Sequence, residues 1–498
     1  MRRAGRIAMG TWAGWLVLAG SVRAELIYFA KGGRAQLPAT TQGASVRLVM
    51  PDGWLDFDRK DFRKVVPGHW PEREWESRRE SALKSGVEAR YAAAWWALEN
   101  GLTPQAVEVL RELHAADPQH EPTARMVAAQ DRLAKPCADP DLGPLRRALD
   151  ARFEVVRSPH VILLHQHSTA DAAERLDLCE RVVTSYYLLL ASQGIELPAP
   201  RSRMASAWFA EQKDYLAFLK SEGAEAFRAT RGYFHPTLNA VVAFDARSTD
   251  AQRHARERLA ARLAELDRVG ATVDQMTHRT RLGLDLAGEP TRALTRTEAR
   301  DLLERLRREV RRQRLLLELD RRAIDWGTAA HETIHQLVAA SGLAPRHDDL
   351  PLWLHEGFAA QFEVVRGGRW AGIGRAHDIR LPDWRAIDPA PRLAPLLRDT
   401  GFGRGYRRDL YAQAWALVYY LRKQHPREFL TLLDLLRTPD DDGSPHADRT
   451  VAAFRRAFGD DLDRLESDWH RFMGALRTPL ESEAMPDGPE ALPPARAR

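Results

Sequence analysis

The strongest chemical signal in the chain is the segment HETIH, residues 331–335. Apolar residues recur around it at helical spacing, and a Ser-Gly pair ends the predicted helix. Residues four apart on a helix lie one turn above each other, so His331 and His335 project from the same face toward one metal ion. Glu332 lies beside them and can reach the fourth coordination position. This spacing indicates metal-dependent hydrolysis.

A second motif supplies a third metal ligand. The sequence PLWLHEGFAA, residues 351–360, predicts another helix with Pro351 in its first turn. Glu356 follows His335 by 21 residues, which leaves room for the first helix to finish, a short loop and a return helix alongside it. Two imidazoles and one carboxylate suit zinc and leave the fourth position for water. Such a site lowers the pKa of this water toward about 7, so hydroxide is available at neutral pH.

HETIH followed by WLHEGFAAQFE, residues 353–363, resembles the motifs of the gluzincins. These are zinc peptidases whose third ligand is a glutamate in a W-L-x-E-G-x-A helix. Among them the chain resembles the peptidase-MA-like family catalogued as domain of unknown function 1570, over roughly residues 150–475. The resemblance implies that His331, His335 and Glu356 bind zinc and that Glu332 is the general base. It also implies an α+β fold with a thermolysin-like zincin catalytic domain, mostly helical around the metal site.

The resemblance adds one further catalytic candidate. The segment LYAQAWAL, residues 410–417, looks like the downstream helix on which gluzincin aminopeptidases carry a tyrosine. Tyr411 is therefore a candidate hydrogen-bond donor to the tetrahedral oxyanion. The alternative is a core tyrosine packed against Trp415. No segment of the Gly-x-Met-Glu-Asn type lies upstream, so the resemblance does not imply the N-terminus clamp of an aminopeptidase.

Four other side chains are weaker candidates. Glu363 lies seven residues after Glu356 on the same predicted helix face and could orient a ligand. His355 either lies near the metal or substrate, or belongs to an exposed helix surface. His165 and His167 point to one side of a strand end, as two ligands would. The sequence offers them no third partner, so we interpret both as structural.

The size and charge of the chain limit the classes of function that it can have. A chain of 498 residues exceeds the size of a single core, so two to four domains are expected. The net charge is +5, but acidic residues interleave with basic ones almost everywhere, so we expect no nucleic-acid partner. Cys137 and Cys179, the only cysteines, either form one disulfide or remain two isolated buried thiols.

The first 24 residues have the pattern of a secretory signal peptide. Three arginines precede an apolar stretch at residues 7–20, and Val22-Arg23-Ala24 supplies small residues for cleavage. We therefore expect export to the periplasm or the extracellular space. If the signal is not cleaved, it would serve as an N-terminal anchor. No later stretch is apolar enough to cross a bilayer, so no stable membrane span is expected after cleavage.

The rest of the chain divides into regions of different character. The sequence predicts a small β module (25–70), a helical TPR-like region (71–140), a zinc peptidase-like domain (145–478) with a charged helical insertion (247–322), and a disordered tail (479–498). The TPR-like region is either a tetratricopeptide-type hairpin or a helical spacer packed on its neighbours. The insertion is predicted to be an antiparallel helical hairpin, serving as a lid, a partner surface or a structural element.

These observations favour zinc-dependent hydrolysis of a peptide or protein substrate. Glu332 would remove a proton from the water and pass it to the leaving amine. An extended peptide would bind by strand addition to an edge strand, for which Val241–Phe244 is the candidate. The alternative is an exported zinc-binding scaffold or pseudo-peptidase without hydrolytic activity. Glu332 argues against that alternative, because a structural zinc site needs no base.

Overall fold

The structure is a computed structural model that describes residues 23–50, 53–68, 70–284, 292–344, 350–402, 407–437, 445–478 and 480–481. Residues 1–22 of the predicted signal peptide lie outside the described residues, as does the predicted tail apart from residues 480–481. The chain divides into two compact units, Met1–Gly68 and His69–Arg498. Helices dominate and strands form two larger sheets, which confirms the predicted α+β class.

The first unit is built from five strands: β1 Arg23–Phe29, β2 Arg34–Gln42, β3 Ser45–Met50, β4 Gly53–Asp58 and β5 Phe62–Pro67. They pair antiparallel in the order β4-β3-β2-β1-β5. Phe29, Phe57 and Phe62 form its aromatic core, with ring centroids 5.4–5.8 Å apart. The predicted small β module (25–70) thus corresponds to a five-stranded sheet. β2 is largely polar and contains Pro38, which is unusual within a central strand.

The second unit begins with helices: α1 Pro71–Leu83, α2 Val87–Glu99, α3 Thr103–Ala116, α4 Glu121–Leu133 and the short α5 Gly143–Ala148. Leu98, Leu110 and Met126 are buried in the same apolar core as the HETIH helix. The helices also touch later parts of the unit through backbone. Between α2 and α3, Gly101 lies against residues 370–372 so closely that neither Gly101 nor Gly372 has room for a Cβ. These contacts favour the packed helical spacer over a freestanding repeat.

A mixed sheet follows, with the elements β6 Glu154–Arg157, β7 Val161–His165, α6 Thr169–Ser192, β8 Met204–Phe209, α7 Gln212–Ser221, β9 Gly232–His235 and β10 Ala240–Phe244. The strand order is β6-β7-β8-β10-β9. The three central strands are parallel, and β6 and β9 are antiparallel edges. The prediction that Val241–Phe244 is an edge strand was wrong, because β10 pairs with β8 on one side and β9 on the other.

The charged segment forms a helical hairpin of α8 Asp250–Gln275 and α9 Arg296–Ala340, joined through the short strands β11 Leu282–Leu284 and β12 Arg292–Leu294. Ion pairs Arg300–Asp274 and Arg307–Asp267 show that the helices are antiparallel. Leucines of both helices, among them Leu259, Leu266, Leu303 and Leu306, form a separate apolar cluster between them. The predicted end of this segment near residue 322 falls inside α9, which continues unbroken through HETIH.

The remaining elements are α10 Leu352–Ala359, β13 Val365–Arg366, β14 Arg369–Trp370, α11 Arg380–Arg385, α12 Leu393–Leu397, α13 Arg408–Gln424, α14 Pro426–Arg437, α15 His446–Phe458 and α16 Leu462–Ala475. Trp353, Trp415 and Trp469 are fully buried among them. Within the described residues, no helix combines the length and apolarity needed to cross a membrane. Both cysteines are buried free thiols, which decides against a disulfide.

We expect Gly372→Ala to destabilise the protein more than Gly194→Ala does. Both glycines have a left-handed backbone, with φ of +88° and +86°, so alanine costs about 1–2 kcal/mol of conformational strain at either position. A Cβ on Gly194 meets nothing within 4 Å, whereas a Cβ on Gly372 would lie 2.4 Å from the backbone nitrogen of Gly101. Urea denaturation of the two variants measures the difference. Equal losses in the free energy of unfolding would contradict the tight contact.

Candidate metal centre

Helix α9 carries HETIH across the mixed sheet and is fixed to it by a polar side chain. Gln336 Nε2 donates to the carbonyl oxygens of Ala205 in β8 and Asn239 beside β10, at 3.1 and 3.2 Å. At the edge strand β9, a Cβ on Gly232 would lie only 3.2 Å from Cγ2 of Thr328. The glycine therefore allows the sheet edge to approach α9 one turn before His331. These contacts fix the rotation of α9 about its axis and its distance from the sheet.

Helix α10 positions Glu356 beside α9. The Asp399 carboxylate accepts the backbone N–H groups of Leu352 and Trp353, both at 2.8 Å, and so satisfies the first turn of α10. The opposite face of α10 packs against α13, where a Cβ on Gly357 would lie 2.4 Å from the carbonyl oxygen of Ala414. Only glycine allows this approach. The residue after the ligand therefore determines how far Glu356 reaches toward α9.

Three donor atoms from the two helices converge. Nε2 of His331 lies 3.0 Å from Nε2 of His335 and 3.0 Å from Oε2 of Glu356, and the remaining separation is 3.6 Å. Ligands bound to zinc at about 2.0–2.1 Å in a tetrahedron lie about 3.3–3.4 Å apart. The three residues therefore fit a zinc-sized cation. Within the described part of the chain, no other group of three His, Cys, Asp or Glu side chains has this proximity.

The carboxylate of Glu363 contacts Nδ1 of His331, the ring nitrogen that faces away from His335 and Glu356. This carboxylate accepts from Nδ1 of His331 at 3.1 Å, so Nε2 is the ring nitrogen that faces His335 and Glu356. His377 Nε2 lies 3.0 Å from the same carboxylate, and Arg380 pairs with it through two nitrogens. Burial opposes ionisation, but Arg380, His331 and His377 outweigh burial and hold the pKa of Glu363 well below its usual range. The predicted orienting role of Glu363 thus has a structural basis.

The three carboxylates near His331 and His335 differ in the direction of their pKa shifts. Burial raises the pKa of Glu356, but the imidazoles of His335 and His331 outweigh burial and keep it well below its usual range. Burial lowers the pKa of His331, yet its hydrogen bonds to Glu356 and Glu363 raise it to about 10. For Glu332 burial prevails and raises the pKa, and the two histidines only partly offset it. Of the three carboxylates, Glu332 is thus the one whose pKa is shifted upward.

Glu332 is buried next to the ligands without a complete set of partners. It is 7% exposed, and its Oε2 has no hydrogen-bond partner in the part of the chain that the structure describes. A buried carboxylate oxygen without a donor is costly in a folded protein. Such a group is more common at sites that act on a ligand than in a purely structural core. The environment of Glu332 therefore agrees with a general base.

Tyr411 lies in the first turn of α13, near the clamp around Glu363. The guanidinium carbon of Arg380 lies 5.6 Å from the centroid of its ring, and the ring of Phe402 lies 6.1 Å away. The residue is half-buried. Tyr411 is thus linked to His331 through two intervening side chains, those of Arg380 and Glu363.

The other candidate histidines separate into two groups. His355 is buried and stacks on His335, which excludes the exposed helix surface considered above. His165 and His167 lie outside the metal centre, as expected. Nδ1 of His165 accepts the backbone N–H of His167, and Nε2 of His167 lies 3.3 Å from the Asp245 carboxylate. Both belong to a buried polar network at the carboxyl ends of β7 and β10.

Two residues at the site, His377 and Arg380, were not predicted from the sequence. His377 lies between β14 and α11 and Arg380 is the first residue of α11, and they reach Glu363 only because the chain folds back there. No helical or strand periodicity links them to either motif. A cavity of about 230 Å³ lies next to them, along α9, and its lining includes Ile324, Thr328 and Val365.

Comparison with known proteins agrees with the predicted likeness. A family described as "Protein of unknown function (DUF1570)" matches residues 325–440. This confirms the predicted resemblance to that family. The matched segment contains both motifs and Tyr411, and it starts within α9. No curated protein matched the chain.

We expect Glu363→Gln to weaken zinc binding about 10–100-fold, since the loss of a carboxylate that orients a metal-ligating histidine typically costs this much. Glu180→Gln is a matched control. Glu180 also accepts from a histidine, His160, at 2.7 Å, but this pair lies away from the metal ligands. Zinc dissociation constants from competition with a chelator check the expectation. Equal affinity in both variants would contradict a role for Glu363.

Proposed function

We propose that the chain is a zinc-dependent peptidase of the gluzincin type, with a thermolysin-like catalytic domain. The observation that carries this proposal is the spacing of three donor atoms, from His331, His335 and Glu356, that suits a tetrahedral cation. The buried Glu332 beside them supports a hydrolytic rather than a structural site, because a structural zinc centre has no use for a base. The match to DUF1570 includes all four residues.

The proposed chemistry is hydrolysis of a peptide bond by water. Zinc, when bound, would polarise the scissile carbonyl and lower the pKa of its water. Glu332 takes the proton from this water and later delivers it to the leaving amine. The raised pKa of Glu332, which follows from its burial, suits a group that must hold the proton between these two steps. Tyr411 donates a hydrogen bond to the developing oxyanion.

The substrate would lie as an extended peptide along the sheet edge. The edge strand beside α9 is β9, Gly232–His235, and its outer backbone groups can pair with a peptide by strand addition. The cavity along α9 would then receive a side chain of that peptide. Its apolar wall includes Ile324 and Val365, while its polar side carries Glu363 and Arg380.

We expect Glu332→Gln to abolish hydrolysis while the fold and the zinc content are retained, because the residue is a base and not a ligand. His335→Ala is the complementary variant and should lose zinc. Proteomic profiling of cleavage products, combined with metal analysis of the purified proteins, separates the two effects. A Gln variant that cleaves as fast as wild type would refute this mechanism. A wild type that binds zinc and cleaves nothing would favour the non-hydrolytic scaffold.

We expect Tyr411→Phe to lower kcat about 10²–10³-fold, with zinc content and melting temperature nearly unchanged, as for the loss of an oxyanion donor. Tyr420→Phe is the control on the same helix. It also removes a hydroxyl, one that bonds His425 at the far end of α13. A kcat within a few-fold of wild type in a well-folded Tyr411→Phe protein would assign Tyr411 to packing.

A further inference from the structure

The two histidine ligands are held in different ways. Nδ1 of His331 is hydrogen-bonded to the Glu363 carboxylate, which His377 and Arg380 fix in turn. Nδ1 of His335 is buried and has no hydrogen-bond partner among the residues that the structure describes. A metal-ligating histidine normally gives its second nitrogen to an acceptor that fixes the ring. His335 therefore needs another source of orientation.

The ring of His355 supplies a contact of a different kind. Its centroid lies 4.1 Å from the centroid of His335, and the two planes meet at only 18°. His355 is 4% exposed, so solvent does not separate the rings. In a near-parallel pair the faces touch and the ring nitrogens point outward along the edges. The contact is therefore a stack and not a hydrogen bond between the two imidazoles.

A stack of this geometry restrains the rotation that matters for metal binding. Turning the His335 ring about its Cβ–Cγ bond would swing Nε2 away from the other donors and would also drive the ring into His355. The near-parallel planes and the short centroid distance leave no room for that rotation. The contact thereby keeps Nε2 of His335 at 3.0 Å from Nε2 of His331.

We propose that His355 is a positioning residue for the metal centre: its ring holds His335 by stacking, as the Glu363 carboxylate holds His331 by hydrogen bonding. This inference rests on the proposed zinc site. Because His355 directly precedes Glu356 in α10, a single turn of helix supplies one ligand and the support of another. A displacement of α10 then disturbs two of the three ligands together.

The test compares two substitutions that separate stacking from hydrogen bonding. His355→Phe keeps an aromatic face and removes both ring nitrogens, whereas His355→Ala removes the face as well. His120→Ala is the control. It deletes a half-buried imidazole that contacts Tyr91 in the N-terminal helices, away from the metal ligands. Zinc dissociation constants of the full chain are measured by competition with a chelator, and no peptide substrate is needed.

We expect His355→Ala to raise the zinc dissociation constant about 10–100-fold, the usual effect of losing a residue that orients a ligand. His355→Phe should stay within about threefold of wild type, because an aromatic face remains. His120→Ala should bind zinc normally.

Three outcomes would overturn the inference. If Phe weakens zinc as much as Ala, the imidazole acts through its nitrogens, as a hydrogen-bonding group or a fourth ligand. If neither variant changes the affinity, His335 is held without the stack. If the chain binds no zinc, both this inference and the zinc site fail. A wild type that binds zinc but cleaves nothing contradicts the peptidase proposal alone, because the affinities of the His355 variants are still measurable.

Discussion

The candidate metal centre depends on carboxylates that are buried beside imidazoles. Placing a carboxylate such as Glu356 in the interior is costly unless opposite charges or donors surround it. Here His331 and His335 provide this compensation from a second helix, so α9 and α10 must lie at one fixed separation. The same requirement is repeated further out, where Glu363 is buried and three cationic or donor groups enclose it. The burial of Glu356 and of Glu363 therefore determines where the groups that surround each carboxylate must lie.

The separation between α9 and α10 is maintained by small side chains as much as by charges. Gly357 allows α10 to approach α13. Gly327 lies one turn before His331. A Cβ added at this position would lie 3.0 Å from the carbonyl oxygen of Glu363, so the glycine allows Glu363 to lie close to α9. Packed interiors accommodate added methyl groups poorly. The two helices that carry the ligands can therefore shift little without displacing a donor atom.

The sequence predicted the three residues that meet at the site better than the residues that surround them. Helical spacing fixes the relative directions of His331 and His335, and the distance to Glu356 allows one simple path for the chain. Both expectations therefore followed from local rules. His377 and Arg380 could not be found this way, because their approach to Glu363 depends on tertiary folding. His355 and His335 stack across two helices. The sequence therefore left open whether His355 lies near the metal or substrate or on an exposed helix surface.

The fold shows the same division between local and long-range information. The sequence predicted a strand at Val241–Phe244, which is part of β10, but not the position of β10 inside the sheet. A strand's sequence reports burial on its faces, whereas edge or centre depends on which other strands pair with it. The short β9, with its glycine and polar ends, gave little signal. Yet it is β9 that occupies the edge beside α9.

The continuity of α9 links regions that the sequence suggested were separate. At about 1.5 Å per residue, its 45 residues extend for about 68 Å. Its first half packs on α8 through an apolar cluster of their own, and its last turns carry His331 and His335. A helix with an unbroken hydrogen-bond ladder transmits axial displacement, since no loop lies between its two halves. The charged hairpin is thus an extension of the helix that carries His331 and His335, two of the three proposed metal ligands.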